Sequence, residues 1–304
     1  MKNTILYFCL LLSQALFAQL PNTDIWLLDI KATKDTIILS NPVNITNRAG
    51  YDNQPSFSPD GTYILYTSIR DEKQSDIYKY DLKTKQITQF TNTSATSEYS
   101  PTFMPDGKNI SVVMVEPDSV QRLWKFPLKG GAPSLVMDKV DSIGYHCWIN
   151  KDSLALIMIT EPPTLVTVNT KTQFPREYRK RYPDDSLSYG RCITYSKRFK
   201  SLFYSWQRKP YEYCISNSLT DHTPKTECKT KPSPHMYGET QDFALWELKD
   251  FPLYVFGVKS QLLILDDFLT GDLVTIMDYK DLGIKNITRI AISPDGTKMA
   301  IVAE

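Results

Sequence analysis

Three stretches of the chain carry the same alternation of apolar and polar residues around a Pro-Asp-Gly turn. Gln54-Pro-Ser-Phe-Ser-Pro-Asp-Gly-Thr-Tyr-Ile-Leu-Tyr66 recurs as Ser100-Pro-Thr-Phe-Met-Pro-Asp-Gly-Lys-Asn-Ile-Ser-Val112, and Ile290-Ala-Ile-Ser-Pro-Asp-Gly-Thr-Lys-Met-Ala-Ile-Val302 repeats it near the end. Each reads as two strands joined by a tight turn in which Pro presets φ, Asp bonds its own backbone and Gly accepts positive φ. That account assigns Asp60, Asp106 and Asp295 to turn formation rather than to an acidic site. Taking the apolar residue before each turn as an anchor gives Phe57, Phe103 and Ile292, and degenerate copies add Trp148, Tyr195 and Trp246. Successive anchors lie 46, 45, 47, 51 and 46 residues apart.

Each unit has a second half. About twenty residues past their anchors stand Asp76-Ile-Tyr-Lys-Tyr-Asp81 and Arg122-Leu-Trp-Lys-Phe126, alternating as strands do, with further strands expected over 86–91 and around 134–137. Four short strands per unit of this length describe a propeller blade. The unit of the last anchor, Ile292, has only its inner two strands. The other two stand at the opposite end of the chain, where Asp24-Ile-Trp-Leu-Leu-Asp29 matches Asp76–Asp81 and Val43-Asn-Ile-Thr46 matches the ending at Thr91. The fold class predicted is all-β: a six-bladed β-propeller of four-stranded blades, closed by a blade shared between the N- and C-termini, which leaves no unpaired edge between first and last blades.

These residues resemble a known group. Phe57-Ser-Pro-Asp-Gly61 followed by Asp76-Ile-Tyr78 and Thr88-Gln-Phe-Thr91 is similar to the WD-type repeat of TolB-like β-propellers, over nearly the whole chain after its N-terminal segment. TolB itself implies a periplasmic scaffold that docks a peptidoglycan-associated lipoprotein and other envelope proteins. Blade sequence begins here at Asp24, so no counterpart of TolB's separate N-terminal domain is expected, and the resemblance implies the scaffold role without specifying TolB's particular partners.

The N-terminus reads as an address. Lys2, the apolar run 5–12 and the small residue Ala18 form the n-region, h-region and cleavage site of a secretory signal. Residues 1–18 are therefore expected to be removed, leaving 19–304 as one propeller in the periplasm or outside the cell. No later stretch approaches the roughly 20 apolar residues of a membrane helix, so no transmembrane segment is expected in the mature chain. Cys9 sits inside the h-region behind Phe8, an unsuitable place for lipid attachment. Of the four remaining cysteines, Cys214 and Cys228 flank a turn-rich stretch and are candidates for a disulfide, with free buried thiols as the equal alternative for all four.

With 35 Lys and Arg against 34 Asp and Glu, the net charge of +1 lacks the basic field that nucleic acid requires. Only three His are present, and Gly-x-Ser-x-Gly, Walker, His-Glu-x-x-His and Cys-x-x-Cys patterns are missing. No catalytic residue, metal or cofactor is assigned. Binding candidates come instead from the segments before each anchor, because in a propeller the loop leading into the innermost strand opens at one channel mouth. They are Asp52, Asn53, Glu98, Tyr99, Tyr145, His146, Arg191, Gln241, Asp242 and Arg289, with Thr288 beside the last; the alternative is that they bond neighbouring blades and channel water. The basic stretch 176–182 is followed by Asp184 and Asp185 and reads as a solvated loop. The function predicted is a monomeric, non-catalytic scaffold binding an envelope protein or peptide at a channel mouth, with a glycan as a second kind of partner. Two alternatives stay open: a lyase or hydrolase acting on a glycan or peptide with His146 as base or metal ligand and Asp52, Glu98 or Asp242 assisting, and small-ligand sensing.

Overall fold

The computed structural model describes residues 21–32, 37–70, 74–177, 187–208, 212–219, 224–225, 242–247, 252–266 and 272–304. They form six four-stranded antiparallel sheets. Blade 1 comprises Tyr51–Phe57, Tyr63–Ile69, Ser75–Asp81 and Ile87–Gln89; blade 2 comprises Ser97–Phe103, Asn109–Val115, Gln121–Pro127 and Ser134–Leu135. Blade 3 is Ile143–Asn150, Ser153–Met158, Thr164–Asn169 and Arg176–Glu177; blade 4 is Leu187–Ser196, Ser201–Arg208, Glu212–Leu219 and Pro224–Lys225. Blade 5 is Phe243–Glu247, Pro252–Val258, Gln261–Asp266 and Asp272–Asp278. The fourth strands of blades 1 and 2 are shorter than their sequence suggests, ending at Gln89 and Leu135.

Blade 6 joins the two ends of the chain. Its inner strands are Ile287–Ile292 and Lys298–Ala303, its outer ones Asp24–Ala32 and Ile37–Asn44. Asp24 pairs with Ala303 and Asp29 with Lys298, whose Nζ also bonds Asp29 Oδ1 at 2.7 Å. Thr23 carries the ring on into blade 1, accepting the Asp52 amide at its carbonyl and donating its hydroxyl to the Asp52 carbonyl.

The second strand of each fully described blade is apolar on both faces, because neighbouring blades pack against each side. In Tyr63–Ile69 the faces part cleanly: Ile64 and Tyr66 join blade 6 residues Ile25, Ala300 and Val302, while Leu65 joins Ile110, Val112 and Met114 of blade 2. Val113, one residue out of phase with Val112, packs with Trp148, Leu154 and Leu156 of blade 3. Clusters around Tyr204, Phe203 and Val255 continue through blades 4, 5 and 6. Six apolar clusters thus occupy six blade interfaces, so the hydrophobic effect closes the ring as a whole.

The Pro-Asp-Gly turns behave as their sequence predicts. Asp60 Oδ1 accepts the Ser58 hydroxyl at 2.6 Å and the Thr62 amide at 3.1 Å, and Asp295 repeats this with Ser293 and Thr297. Those donors hold both carboxyls below the usual carboxylate range. Gly61, Gly107 and Gly296 take φ of 67°, 64° and 70°. Among the described residues no helix is long and apolar enough to cross a membrane.

Candidate functional site

The first strand of each blade lines the ring's axis. A cavity of about 330 Å³ is walled by Ser56, Thr102, His146, Cys192, Ala244 and Ala291, one from every blade, together with their neighbours. A second, of about 600 Å³, lies where these strands begin, between Tyr51, Asn53, Tyr99, Tyr145 and Thr288. Gln54, Tyr145, Arg191 and Arg289 line both.

These two arginines cross the channel. Arg191, in blade 4, donates from Nη2 to the Thr288 carbonyl of blade 6 at 2.8 Å. Arg289, in blade 6, reaches Asp242 Oδ2 beside blade 5 and the Tyr145 hydroxyl of blade 3, both at 3.5 Å. Blades 6 and 3 face each other across a six-membered ring, so Arg289 spans the axis where the two cavities share their lining. Burial works against the Arg289 charge, yet Asp242, Tyr145 and Tyr51 around it outweigh burial and hold its pKa above the ordinary arginine value. Burial raises the Tyr51 phenol, against the pull of Arg289 and Arg191.

The sequence candidates divide by parity. Tyr99 and Asn53 line the outer cavity, Asp242 and His146 the inner one, and Tyr145, Arg191 and Arg289 both. Asp52 and Glu98 stand next to Asn53 and Tyr99, and alternate strand residues point to opposite faces. Both have no exposed surface and neither lines a cavity. Asp52 pairs with Arg48, Nε to Oδ2 at 2.9 Å, and accepts the Ser68 hydroxyl at 2.5 Å. Glu98 accepts hydroxyls from Thr91 at 3.0 Å, from Thr96 at 2.8 Å and from Thr93. Burial outweighs those donors and pushes the Glu98 carboxyl up to about 7. The two carboxylates clasp one blade to the next, which corrects their assignment to the mouth. Most of the remaining candidates also lie on the inner strands themselves rather than in loops.

His146 is 6% exposed. Its Nε2 lies 2.7 Å from Ser111 Oγ, which also accepts the Trp148 indole N–H at 2.9 Å. Burial alone pushes its pKa down to about 3. Ser111 has no exposed surface, so the Ser-His contact offers no nucleophile to a substrate. Gln241 and Cys228 lie outside the described residues, as does the Cys214 side chain. Cys147 and Cys192 are buried free thiols, and burial pushes Cys147 up to about 12. Among the described residues no three His, Cys, Asp or Glu side chains come together as metal ligands.

Two site residues escaped the sequence reading. Tyr51 is two positions before Asn53 and so shares its face, a parity signal present in the sequence. Gln54 adopts φ of 58° at a bulge, and its Oε1 accepts the Thr67 hydroxyl at 2.8 Å and the Ser100 amide of blade 2 at 2.7 Å. Ser100 repeats this conformation with φ of 55°. Both precede prolines, which marks the bulge that re-aims the wall.

No protein-family model matches the chain, and no curated protein matches it by sequence. Solved structures do match. A protein designated TolB from Agrobacterium tumefaciens superposes with a TM-score of 0.67 at 15% identity, covering 93% of this chain and 98% of that one. TolB from Acinetobacter baumannii gives 0.59 at 12% identity over 93% of this chain, which spans 64% of that protein. Oligogalacturonate lyase from Vibrio parahaemolyticus gives 0.57 at 12% identity, covering 88% and 82%. At these identities the likeness establishes the fold, a TolB-like β-propeller.

Proposed function

We propose that this chain is an exported, non-catalytic propeller, its residues 1–18 removed on secretion, that docks an envelope protein on the mouth ringed by Tyr51, Tyr99 and Tyr145. The observation that carries this reading is the composition of that mouth. Three tyrosines and two arginines surround an open cavity of about 600 Å³, and these residue types dominate binding energy at protein interfaces. TolB-like neighbours support a scaffold role, and the sequence resemblance to TolB implies the same.

The lyase or hydrolase alternative depended on His146, Asp52, Glu98 and Asp242. Burial keeps His146 neutral and tied to Ser111, the first two carboxylates sit between blades, and Asp242 faces Arg289.

A pull-down from envelope extract with the full chain tests the proposal. A stoichiometric partner should be recovered by the wild type and lost with Tyr99→Ala or Arg289→Glu, both checked for folding by circular dichroism. Empty pull-downs across several detergents and salts, or a partner indifferent to both substitutions, would overturn it. Turnover in glycan and peptide substrate screens would favour the catalytic alternative instead.

A further inference from the structure

The two arginines that bar the channel are under-used. A guanidinium has five N–H groups. Among the described residues Arg191 makes one hydrogen bond, to the Thr288 carbonyl, and its buried Nε has no partner. Arg289 holds Asp242 and Tyr145 only at 3.5 Å, well beyond the 2.7–2.9 Å typical of charge-assisted bonds. An unsatisfied buried donor on a charged group is expensive, so a passage that holds one at Arg191 Nε, beside an Arg289 whose two contacts are long, favours an incoming anion.

Charge and space narrow that anion. Among the described residues, the two cavities are lined by two guanidiniums and two carboxylates; Glu304 is exposed at the outer cavity, where solvent screens it, so Arg191 and Arg289 against Asp242 leave a surplus of one positive charge inside the passage itself. A monoanion neutralises the surplus, whereas a dianionic phosphate over-compensates it. Tyr51, Tyr99 and Tyr145 line the approach, and the outer cavity is large enough for several residues of an extended chain. We infer that Arg191 and Arg289 receive a carboxylate presented by an acidic peptide segment of the docked partner. This rests on the docking reading above and specifies the chemistry at its centre.

The test passes two random heptapeptide pools, one with free C-termini and one amidated, over the immobilised full chain and sequences the retained peptides by mass spectrometry. The wild type should enrich Asp and Glu about threefold or more over the input, or retain the free-acid pool preferentially by a similar factor. The first result assigns a side-chain carboxylate and the second a terminal one, and either supports the inference. Arg191→Gln and Arg289→Gln should abolish the bias, and Arg289→Lys should keep part of it. If a glutamine variant fails to fold, the wild type still decides: raising salt from about 50 to about 500 mM should remove the acidic bias. Peptides retained without acidic bias but lost with Tyr99→Ala would overturn the carboxylate inference and leave docking standing. Retention of trigalacturonate in place of any peptide would overturn it in favour of a glycan, and a chain that retains neither overturns both readings.

Discussion

The Arg289 guanidinium lies 5.5 Å from the ring centre of Tyr145, although the two residues are 144 positions apart and belong to opposite blades. A contact across the axis requires that all six blades keep their places, so the channel bar reports on closure of the ring. Because the Asp242 side chain is only 10% exposed, its charge leans on Arg289. Arg289→Ala should therefore destabilise the protein by about 1–3 kcal/mol through the stranded carboxylate. Tyr145→Phe, which loses one 3.5 Å contact and keeps the ring, should cost less than about 1 kcal/mol. Urea unfolding of both variants checks the order; equal losses would mean that the bar has no electrostatic role.

A second comparison separates buried from exposed ion pairs. Asp52 has no exposed surface and meets Arg48 at 2.9 Å, while Lys298 and Asp29 meet at 2.7 Å with side chains 35% and 42% exposed. Arg48→Ala leaves a charge buried between blades 6 and 1 and should cost about 3–5 kcal/mol. Lys298→Ala breaks the shorter contact and should cost less than about 1 kcal/mol, since solvent screens it. Denaturant midpoints that fall together would refute the distinction.

The architecture was legible because it is written in residues whose physics is local. Pro-Asp-Gly at three turns fixes the inner hairpins, and the match of Asp24–Asp29 to Asp76–Asp81 fixes closure before any contact is known. The site was legible only in part. Tyr145, Arg191 and Arg289 precede anchors, and the structure places all three on both cavities. Asp52 and Glu98 were misplaced because position relative to an anchor does not say which face a strand residue takes, and a bulge at Gln54 or Ser100 resets that parity. The pairing of Arg289 with Tyr145 lay beyond the sequence, because a count of six places blades 3 and 6 opposite each other without saying which side chains meet across the axis.

Blade 5 meets blade 6 without room for a side chain at Gly257. A Cβ there would fall 2.6 Å from Ile287 Cγ2 and 2.7 Å from its carbonyl oxygen. The carbonyl belongs to the inner strand of blade 6 and cannot swing aside. Gly257→Ala should therefore cost about 1–3 kcal/mol by overpacking, despite the better strand propensity of alanine. Thermal and urea unfolding give the value, and a neutral or stabilising result would show that the interface yields.

Two of the buried titratable groups, Glu98 and His146, bend the pH dependence of stability in opposite directions. Glu98 binds its proton more tightly when folded, with a pKa near 7 against 4.5 for a free carboxyl. Between about pH 4.5 and 7 the folded state holds more protons than the unfolded one, so this contribution is full at the acid end and is lost as pH rises. His146 is the reverse case. Its pKa near 3 lies below the free value of 6.5, so its contribution is full above pH 6.5 and is lost as pH falls towards 3. In the wild type the two slopes offset each other through the shared window. Glu98→Gln removes one of them, and stability of that variant should rise more steeply from pH 4.5 to 7 than that of the wild type. His146→Gln removes the other, and its stability should fall over the same range. Urea midpoints at half-unit pH intervals resolve both, and variant curves parallel to the wild type would show that neither proton is linked to folding.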